Sequence, residues 1–185
     1  MHLVALNGSP RKQGNTDILL DQIIKGFTEL KGTTEKVYLT QNKVQPCLDC
    51  RKCKASPYIC PLKDDMPRLI PILEKAEVLV FGTPIYWYGP TAQMKLLIDR
   101  LRPFIVNKHL QGKLGVLVVP SEEGAPICDP IVKMFQMSFQ YVGMNYGGAF
   151  LTAAYEKGEI VKNLSEMNRA YDFGKNLASK TPPLC

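Results

Sequence analysis

The stretch Leu3-Val4-Ala5-Leu6-Asn7-Gly8-Ser9-Pro10-Arg11-Lys12-Gln13-Gly14-Asn15-Thr16 decides the fold. Leu3 to Leu6 are wholly apolar, the pattern of a short strand buried on both faces. A turn with two glycines follows. Beyond it, Ile18 to Leu30 places Leu19, Ile23, Phe27 and Leu30 on one helical stripe. This strand, turn and helix unit then recurs. Val37-Tyr38-Leu39 reads as a second strand, Ala76 to Gly82 as a third and Leu114 to Val119 as a fourth, and Gly148 to Leu151 ends a fifth. Helical spacing marks Met94, Leu97, Ile98 and Leu101, then Ile131 to Val142, then Leu164, Met167, Tyr171 and Leu177. Asp64 and Asp65 suit a helix start with Pro67 in its first turn, whereas Pro71 predicts a kink or a later start. Five strands alternating with five helices predict an α/β fold, an open parallel sheet covered on both faces, with right-handed crossovers.

One domain over residues 1–185 is expected, with a cysteine-rich loop at residues 46–62 and a frayed end from Thr181 to Cys185. At 45% hydrophobic and 22% charged residues, the chain reads as a soluble globular protein. No apolar run approaches the roughly 18–20 residues of a membrane span. The opening residues lack the basic region and long apolar stretch of a signal peptide, so a cytoplasmic location is expected. The formal charge of +6 is partly local: Arg11 and Lys12 share one loop, and Arg51, Lys52 and Lys54 another. No basic stripe interleaved with aromatics is present, which argues against nucleic acid. The excess charge favours docking of an acidic electron carrier.

In open parallel sheets, ligands sit beyond the carboxyl ends of the strands. Three loops leave strand ends there. In the first, Gly8 and Gly14 let backbone approach a ligand, Ser9 and Thr16 carry hydroxyls, Arg11 offers a charged fork, and a helix begins at Asn15 and Thr16. A phosphate monoester fits that set. The loop lacks the Lys-Ser/Thr pair of a P-loop and the G-x-G-x-x-G of a dinucleotide fold; its plainest alternative is a polar turn with an N-cap. In the second loop, Thr83-Pro84-Ile85-Tyr86-Trp87-Tyr88-Gly89-Pro90, three consecutive aromatics cannot all be core. They suit stacking on a planar ring or a subunit interface, and the amides of Ile85 to Tyr88 suit ring heteroatoms. In the third, Pro120 to Gly124, Ser121 and Gly124 offer further amides; Glu122 and Glu123 read as solvated or dipole-stabilising.

Cys47, Cys50, Cys53 and Cys60, with Pro61 directly after, crowd one loop. Overlapping C-x2-C spacing followed by proline is a habit of iron–sulfur ligand runs. Zinc prefers two separated pairs, and an unfilled thiol loop is the remaining alternative. Cys128 reads as a core thiol and Cys185 as an exposed end. The lone His2 and His109 are not expected to bind metal.

Ser-Pro-Arg-x-x-Gly-Asn-Thr after strand one, Thr-Pro-Ile-Tyr-Trp after strand three and Met-Lys-Leu-Leu-Ile-Asp-Arg in the next helix resemble the NADPH-dependent FMN reductase type of flavodoxin-like protein. With the four cysteines and Lys63-Asp64-Asp65-Met66, the chain is most similar to the iron–sulfur flavoprotein branch of that family. The resemblance covers about residues 1–180. It implies a doubly wound five-stranded sheet of order 2-1-3-4-5, one FMN and one 4Fe–4S cluster per subunit, and a homodimer or homotetramer. It also implies that Ser9, Arg11, Asn15 and Thr16 hold the FMN phosphate, that Pro84, Ile85, Tyr86, Trp87 and Tyr88 flank the ring, and that the four cysteines ligate the cluster. The cluster would lie near a neighbouring subunit's flavin.

The function expected is that of an FMN-dependent oxidoreductase or electron-transfer flavoprotein. It would pass electrons between a one-electron carrier such as ferredoxin, or NAD(P)H, and a two-electron small-molecule acceptor. The alternatives are an NAD(P)H-dependent FMN or quinone reductase without a cluster, and a non-catalytic flavin electron carrier or sensor. No catalytic residue stands out; Tyr86 and Tyr88 are candidate proton donors.

Overall fold

The computed structural model describes residues 1–179, so Cys185 and the expected frayed end lie outside the described residues. Five parallel strands, β1 (His2–Asn7), β2 (Thr33–Tyr38), β3 (Val78–Gly82), β4 (Leu114–Ser121) and β5 (Asn145–Ala153), stand in the order β2-β1-β3-β4-β5. The helices are α1 (Asn15–Glu29), α2 (Met66–Lys75), α3 (Ala92–Asp99), a single turn α4 (Phe104–Asn107), α5 (Asp129–Tyr141) and α6 (Leu164–Ser179). The alternation and strand order expected from the sequence are those observed.

Period-two alternation splits the core into two layers. Leu3, Ala5, Val78, Val80, Val116 and Val118 face α1 and α6. Val4, Leu6, Leu79, Phe81, Leu117 and Val119 face the layer containing α2, α3 and α5. A tilted trio, Phe81, Phe135 and Phe139, with ring centroids 5.0–5.6 Å apart, fills the second layer. On the other face, α1 and α6 approach through glycines. A Cβ on Gly26 would sit 2.0 Å from the Tyr171 carbonyl oxygen, and one on Gly174 would sit 2.0 Å from that of Ile23.

Two local expectations change. Pro71 does not delay α2, which runs from Met66 through it to Lys75. The residue is exposed, and the carbonyl that would have accepted its missing N–H is that of Pro67, in the opening turn of the helix. The short α4 is an element the helical stripes did not reveal, because four residues are too few to show a period.

The long crossover between β2 and α2 carries the cysteines, and its two ends are zipped together. Lys43 N–H donates to Asp65 Oδ2 at 2.6 Å, Asp65 N–H to the Lys43 carbonyl at 3.1 Å, and Gln45 Nε2 to the Lys63 carbonyl at 3.0 Å. At the centre Asp64 accepts from the N–H groups of Gln45 and Met66, and it forms a two-pronged pair with Arg100, which lies just beyond α3. Arg100 Nη1 also donates to the Gln45 carbonyl at 2.8 Å. Both side chains are 1% exposed. Burial would raise the Asp64 carboxyl, but Arg100 and the two backbone donors outweigh it and hold it below its ordinary value.

Two outcomes follow for stability. Gly26→Ala or Gly174→Ala drives a methyl into opposing backbone and should cost about 2–3 kcal/mol in urea unfolding; an unchanged midpoint would show that the helices have room. Asp64→Ala strands the Arg100 charge in the interior and should cost about 3–5 kcal/mol. Because the folded carboxyl is depressed, the stability it confers is present above the unfolded value of 3.8 and is lost as pH falls through the lower folded value. The variant should therefore show a shallower loss of stability on acidification in that window.

Candidate functional site

At the carboxyl edge of the sheet, the three loops singled out in the sequence surround one cleft. Its wall includes Ser9, Arg11, Asn15 and Thr16 from the first loop, Pro84, Ile85 and Tyr86 from the second, and Ser121 from the third. The enclosed volume is about 200 Å³.

The first loop is built around Asp17. Its Oδ1 accepts from Asn7 Nδ2 at 3.0 Å and its Oδ2 from Gln13 N–H at 2.7 Å, tying the end of β1 to the loop that precedes α1. Asn7 Oδ1 in turn accepts from Ser9 N–H at 2.9 Å. A carboxylate beneath an anion site would repel the anion, but Lys36 on β2 forms an ion pair with it. Burial pushes the Asp17 carboxyl up, yet the Lys36 and Gln13 bonds bring it below its ordinary value, so it is ionised and neutralised in place. Gly14 caps α1 in an extended conformation, leaving the first-turn amides of α1 without helical partners. The Asn15 side chain is committed elsewhere: Nδ2 donates to the Glu156 carbonyl at 2.8 Å and Oδ1 accepts from Ile160 N–H at 3.2 Å. What Asn15 retains for a ligand is its backbone N–H at a helix start. Arg11 lies exposed at the rim with Nη1 3.3 Å from the Tyr155 carbonyl.

The second loop folds as a tight turn. Tyr86 N–H donates to the Gly89 carbonyl at 2.9 Å and Gly89 N–H to the Tyr86 carbonyl at 3.1 Å. Trp87 and Tyr88 occupy its two central positions with φ of 51° and 62°. Such positions normally take Asn or Gly, and a bulky side chain there costs about 1–3 kcal/mol. Both side chains stand away from the cleft wall, Trp87 being 97% exposed. The loop is anchored behind by Thr91, which donates to the Gly8 carbonyl at 2.7 Å and caps α3, so the first and second loops share one hinge point.

In the third loop Ser121 lines the cleft, but its hydroxyl donates to the Gly124 carbonyl at 3.0 Å. Gly124 shapes the turn, with φ of 72°, rather than lining the cleft. Cys128 is fully buried as expected, with its thiol bonded to the Gly124 carbonyl at 3.2 Å and pushed up by burial. Pro120 and Glu122 of the third loop also line the cleft, as do Ile127, Ala154 and Tyr155, which sequence reasoning had not placed there. Ala154 and Tyr155 belong to a fourth loop, after β5. Neither carries a recognisable motif, and only the strand order brings them opposite Arg11.

The cysteine loop lies apart from this cleft. Cys53 is buried, Cys47 and Cys60 are half-buried and Cys50 is exposed. Left-handed backbone at Asp49 and Arg51 turns the chain on both sides of Cys50. Among the described residues no three His, Cys, Asp or Glu side chains are gathered closely enough to hold a metal ion. Burial first, then the charge of Cys60, with smaller contributions from Cys47 and Cys50, pushes the Cys53 thiol up. Arg100 is next to Cys60, which adds to the effect of Asp64 in opposing the lowering of its pKa by burial. Arg51 and Lys52, expected to balance a cluster, are exposed to solvent. His2 and His109 are engaged by Thr33 and Glu74 respectively. Among the described residues, no helix is long and apolar enough to cross a membrane.

Comparison with known proteins agrees with this layout. An iron-sulfur flavoprotein of Methanocaldococcus jannaschii is 33% identical over 115 residues, covering 62% of this chain and 59% of that one. An iron-sulfur flavoprotein of Archaeoglobus fulgidus is 35% identical over 119 residues, 64% of this chain and 54% of that one. The match thus spans less than two thirds of those relatives' length. Among solved structures, the Trp repressor binding protein from Bacillus subtilis aligns with a TM-score of 0.69 at 26% identity, over 94% of this chain and 98% of that one. The NAD(P)H:quinone oxidoreductase from Methanothermobacter marburgensis shares the fold, with a TM-score of 0.76 at 18% identity over 98% of each chain. Residues 1–152 match the family described as NADPH-dependent FMN reductase. With the strand order, the four-loop cleft and a match over most of its length, the chain belongs to the NADPH-dependent FMN reductase family.

Proposed function

We propose that the protein is a flavin-dependent oxidoreductase that binds FMN at the carboxyl edge of the sheet and a 4Fe–4S cluster in the loop from Cys47 to Cys60. It would pass electrons between a one-electron carrier, or NAD(P)H, and a two-electron small-molecule acceptor. The observation that carries the reading is the convergence of Ser9, Arg11, Asn15 and Thr16 with Pro84, Ile85, Tyr86 and Ser121 on one cleft. When bound, FMN supplies hydride acceptance and single-electron release, and the cluster supplies one-electron storage.

The chain's own residues bind and position. The hydroxyls of Ser9 and Thr16, the fork of Arg11 and the amides at the start of α1 suit the FMN phosphate. Asp17 keeps that loop in shape while Lys36 cancels its charge. The enclosed volume of about 200 Å³ falls below the roughly 300–1,000 Å³ of sites that engulf a whole ligand. It suits the ribityl phosphate, with the ring held at the open side against Pro84 to Tyr86. Ser121 would contribute its amide, since its hydroxyl is already bonded.

For the cluster, the support is the cysteine spacing in one loop and the names of the relatives. Cys47, Cys50, Cys53 and Cys60 would be its ligands. The flavin cleft and the cavity beside Cys47 have no lining residue in common, and electron exchange between the two groups would run across a homo-oligomer. Its contact would include the exposed turn at Trp87 and Tyr88 and the exposed Leu48 and Ile59 of the cysteine loop. The loose gathering of the thiols favours a second reading, an NAD(P)H-dependent FMN or quinone reductase with an unfilled loop.

Anaerobic purification with flavin, iron and acid-labile sulfide assays on one sample separates these readings. Iron and sulfide at about four each per FMN are expected; FMN with neither metal nor sulfide leaves the second reading, and a colourless protein removes both. Arg11→Ala should lower FMN affinity by about tenfold, the loss of one charge-assisted contact of about 1.5 kcal/mol, read by fluorescence titration. Replacing Trp87-Tyr88 by Asn-Gly should relax the turn, raising the unfolding midpoint, while sedimentation shows a smaller assembly that still retains FMN. An unchanged sedimentation coefficient would remove this turn from the subunit contact.

A further inference from the structure

Asn15 opens α1 in the loop suited to a phosphate, yet its side chain is spent on the fourth loop, the one that follows β5. Nδ2 donates to the Glu156 carbonyl at 2.8 Å, and Oδ1 accepts from Ile160 N–H at 3.2 Å. These partners lie 141 and 145 residues away along the chain. Ile160 is buried in the core layer beside α1 and α6, where a backbone N–H needs a partner within the protein. A further bond joins the same two loops: Arg11 Nη1 donates to the Tyr155 carbonyl at 3.3 Å.

The fourth loop is shaped to receive these bonds. Glu159 accepts from Tyr155 N–H and folds the loop back on itself. Gly158 lets it close against the first loop: its φ is 76°, and a Cβ there would come within 3.3 Å of the Gln13 carbonyl oxygen. Ala154 and Tyr155 line the cleft, whereas Gly158 does not. The carbonyls of Tyr155 and Glu156 thus meet a loop built for an anion, where a bare carbonyl oxygen would repel the ligand. Each is covered by a donor, from Arg11 in one case and from Asn15 in the other. Arg11 has five N–H groups and gives one of them to the Tyr155 carbonyl, so its fork stays available. Both ends of the Asn15 amide are engaged.

We infer that Asn15 is a positioning residue: its side chain fastens the fourth loop as a wall of the cleft and acts on the flavin through Tyr155, without touching the phosphate. This rests on the assignment of FMN to the cleft. Tyr155 brings to the wall an aromatic ring and a carbonyl that is already taken, and neither attracts a phosphate. The wall therefore acts on the part of FMN that riboflavin shares, while the backbone N–H of Asn15 remains for the phosphate.

The test titrates the full chain, stripped of any flavin, with FMN and with riboflavin, which lacks the phosphate, and reads flavin fluorescence. Asn15→Ala keeps the backbone N–H and removes the clasp, and should weaken both ligands by the same factor, about tenfold for two lost hydrogen bonds. Gly158→Ala, outside the cleft, should also weaken both alike, because its effect can pass only through the loop. Hydrogen exchange at Ile160 N–H should quicken by about tenfold or more in Asn15→Ala, as its acceptor is gone. A loss confined to FMN in Asn15→Ala shows that the side chain holds the phosphate, and overturns the inference. Unchanged affinity for both ligands, with a lowered unfolding midpoint, leaves Asn15 a role in stability alone and overturns it equally. Wild-type protein that binds FMN but not riboflavin removes the wall from ligand binding, with the same consequence. A wild-type chain that binds neither flavin overturns the FMN reading itself.

Discussion

A parallel sheet leaves its hydrogen-bonding and dipolar loose ends at one edge. Where β1, β3 and β4 run out, strand carbonyls lose partners, and the helix that follows β1 starts with unpaired amides. The chain has to organise that edge without filling it. It does so here with two buried carboxylates, each matched by a cation from an element far away in sequence. Asp17 joins the end of β1 to the start of α1 and is neutralised by Lys36 on β2. Asp64 joins the two ends of the cysteine crossover and is neutralised by Arg100 beyond α3. Neither pair need add much net stability, because desolvation offsets most of the attraction. What each supplies is specification, since any other loop arrangement would leave a charge buried alone.

The two anchors explain the division between what the residue pattern announces and what it conceals. Strands buried on both faces announce themselves by composition, so Leu3 to Leu6 and Val78 to Phe81 are plain in the sequence. The stripe at Leu19, Ile23 and Phe27 is equally plain. The three loops of the cleft are legible too, since their residue types suit an anion and a ring wherever the sheet places them. Partners across the sheet are not. Nothing local to Lys36 says that it faces Asp17, and nothing local to Arg100 says that it enters the interior against Asp64. Those pairings are products of strand order and helix placement. The same holds for Tyr155, whose carbonyl meets Arg11 only because β5 ends beside the cleft.

Charge balance around the cysteines is the sharpest case. Counting residues along the chain assigns the counter-charge to Arg51, Lys52 and Lys54, simply because they are neighbours. In three dimensions the first two point to water, where their field is screened. The segment Arg100-Leu101-Arg102 instead sets one guanidinium in the interior against Asp64 and another in the cavity of Cys47. A charge acts on its neighbours through the dielectric around it, and burial multiplies its effect several-fold. Sequence proximity is therefore a poor guide to which cations matter.

The strained turn and the cysteine loop share a further property, which bears on assembly. Trp87 and Tyr88 adopt left-handed backbone while their side chains stand in solvent, and Leu48 and Ile59 are similarly uncovered. In an isolated chain, both arrangements cost free energy with no compensating contact. Single exposed apolar residues are ordinary on any protein surface; strained backbone that exposes two aromatics is not, because relaxing it would require only Asn and Gly in their place. A contact that covers those aromatics makes the strain intelligible, since a rigid turn presents them already ordered and loses little entropy on docking. On the proposed homo-oligomer, the turn at the lip of one subunit's flavin cleft and the apolar rim of another's cysteine loop would cover each other. The contact that relieves their exposure would then be the one that brings the two electron stores within reach.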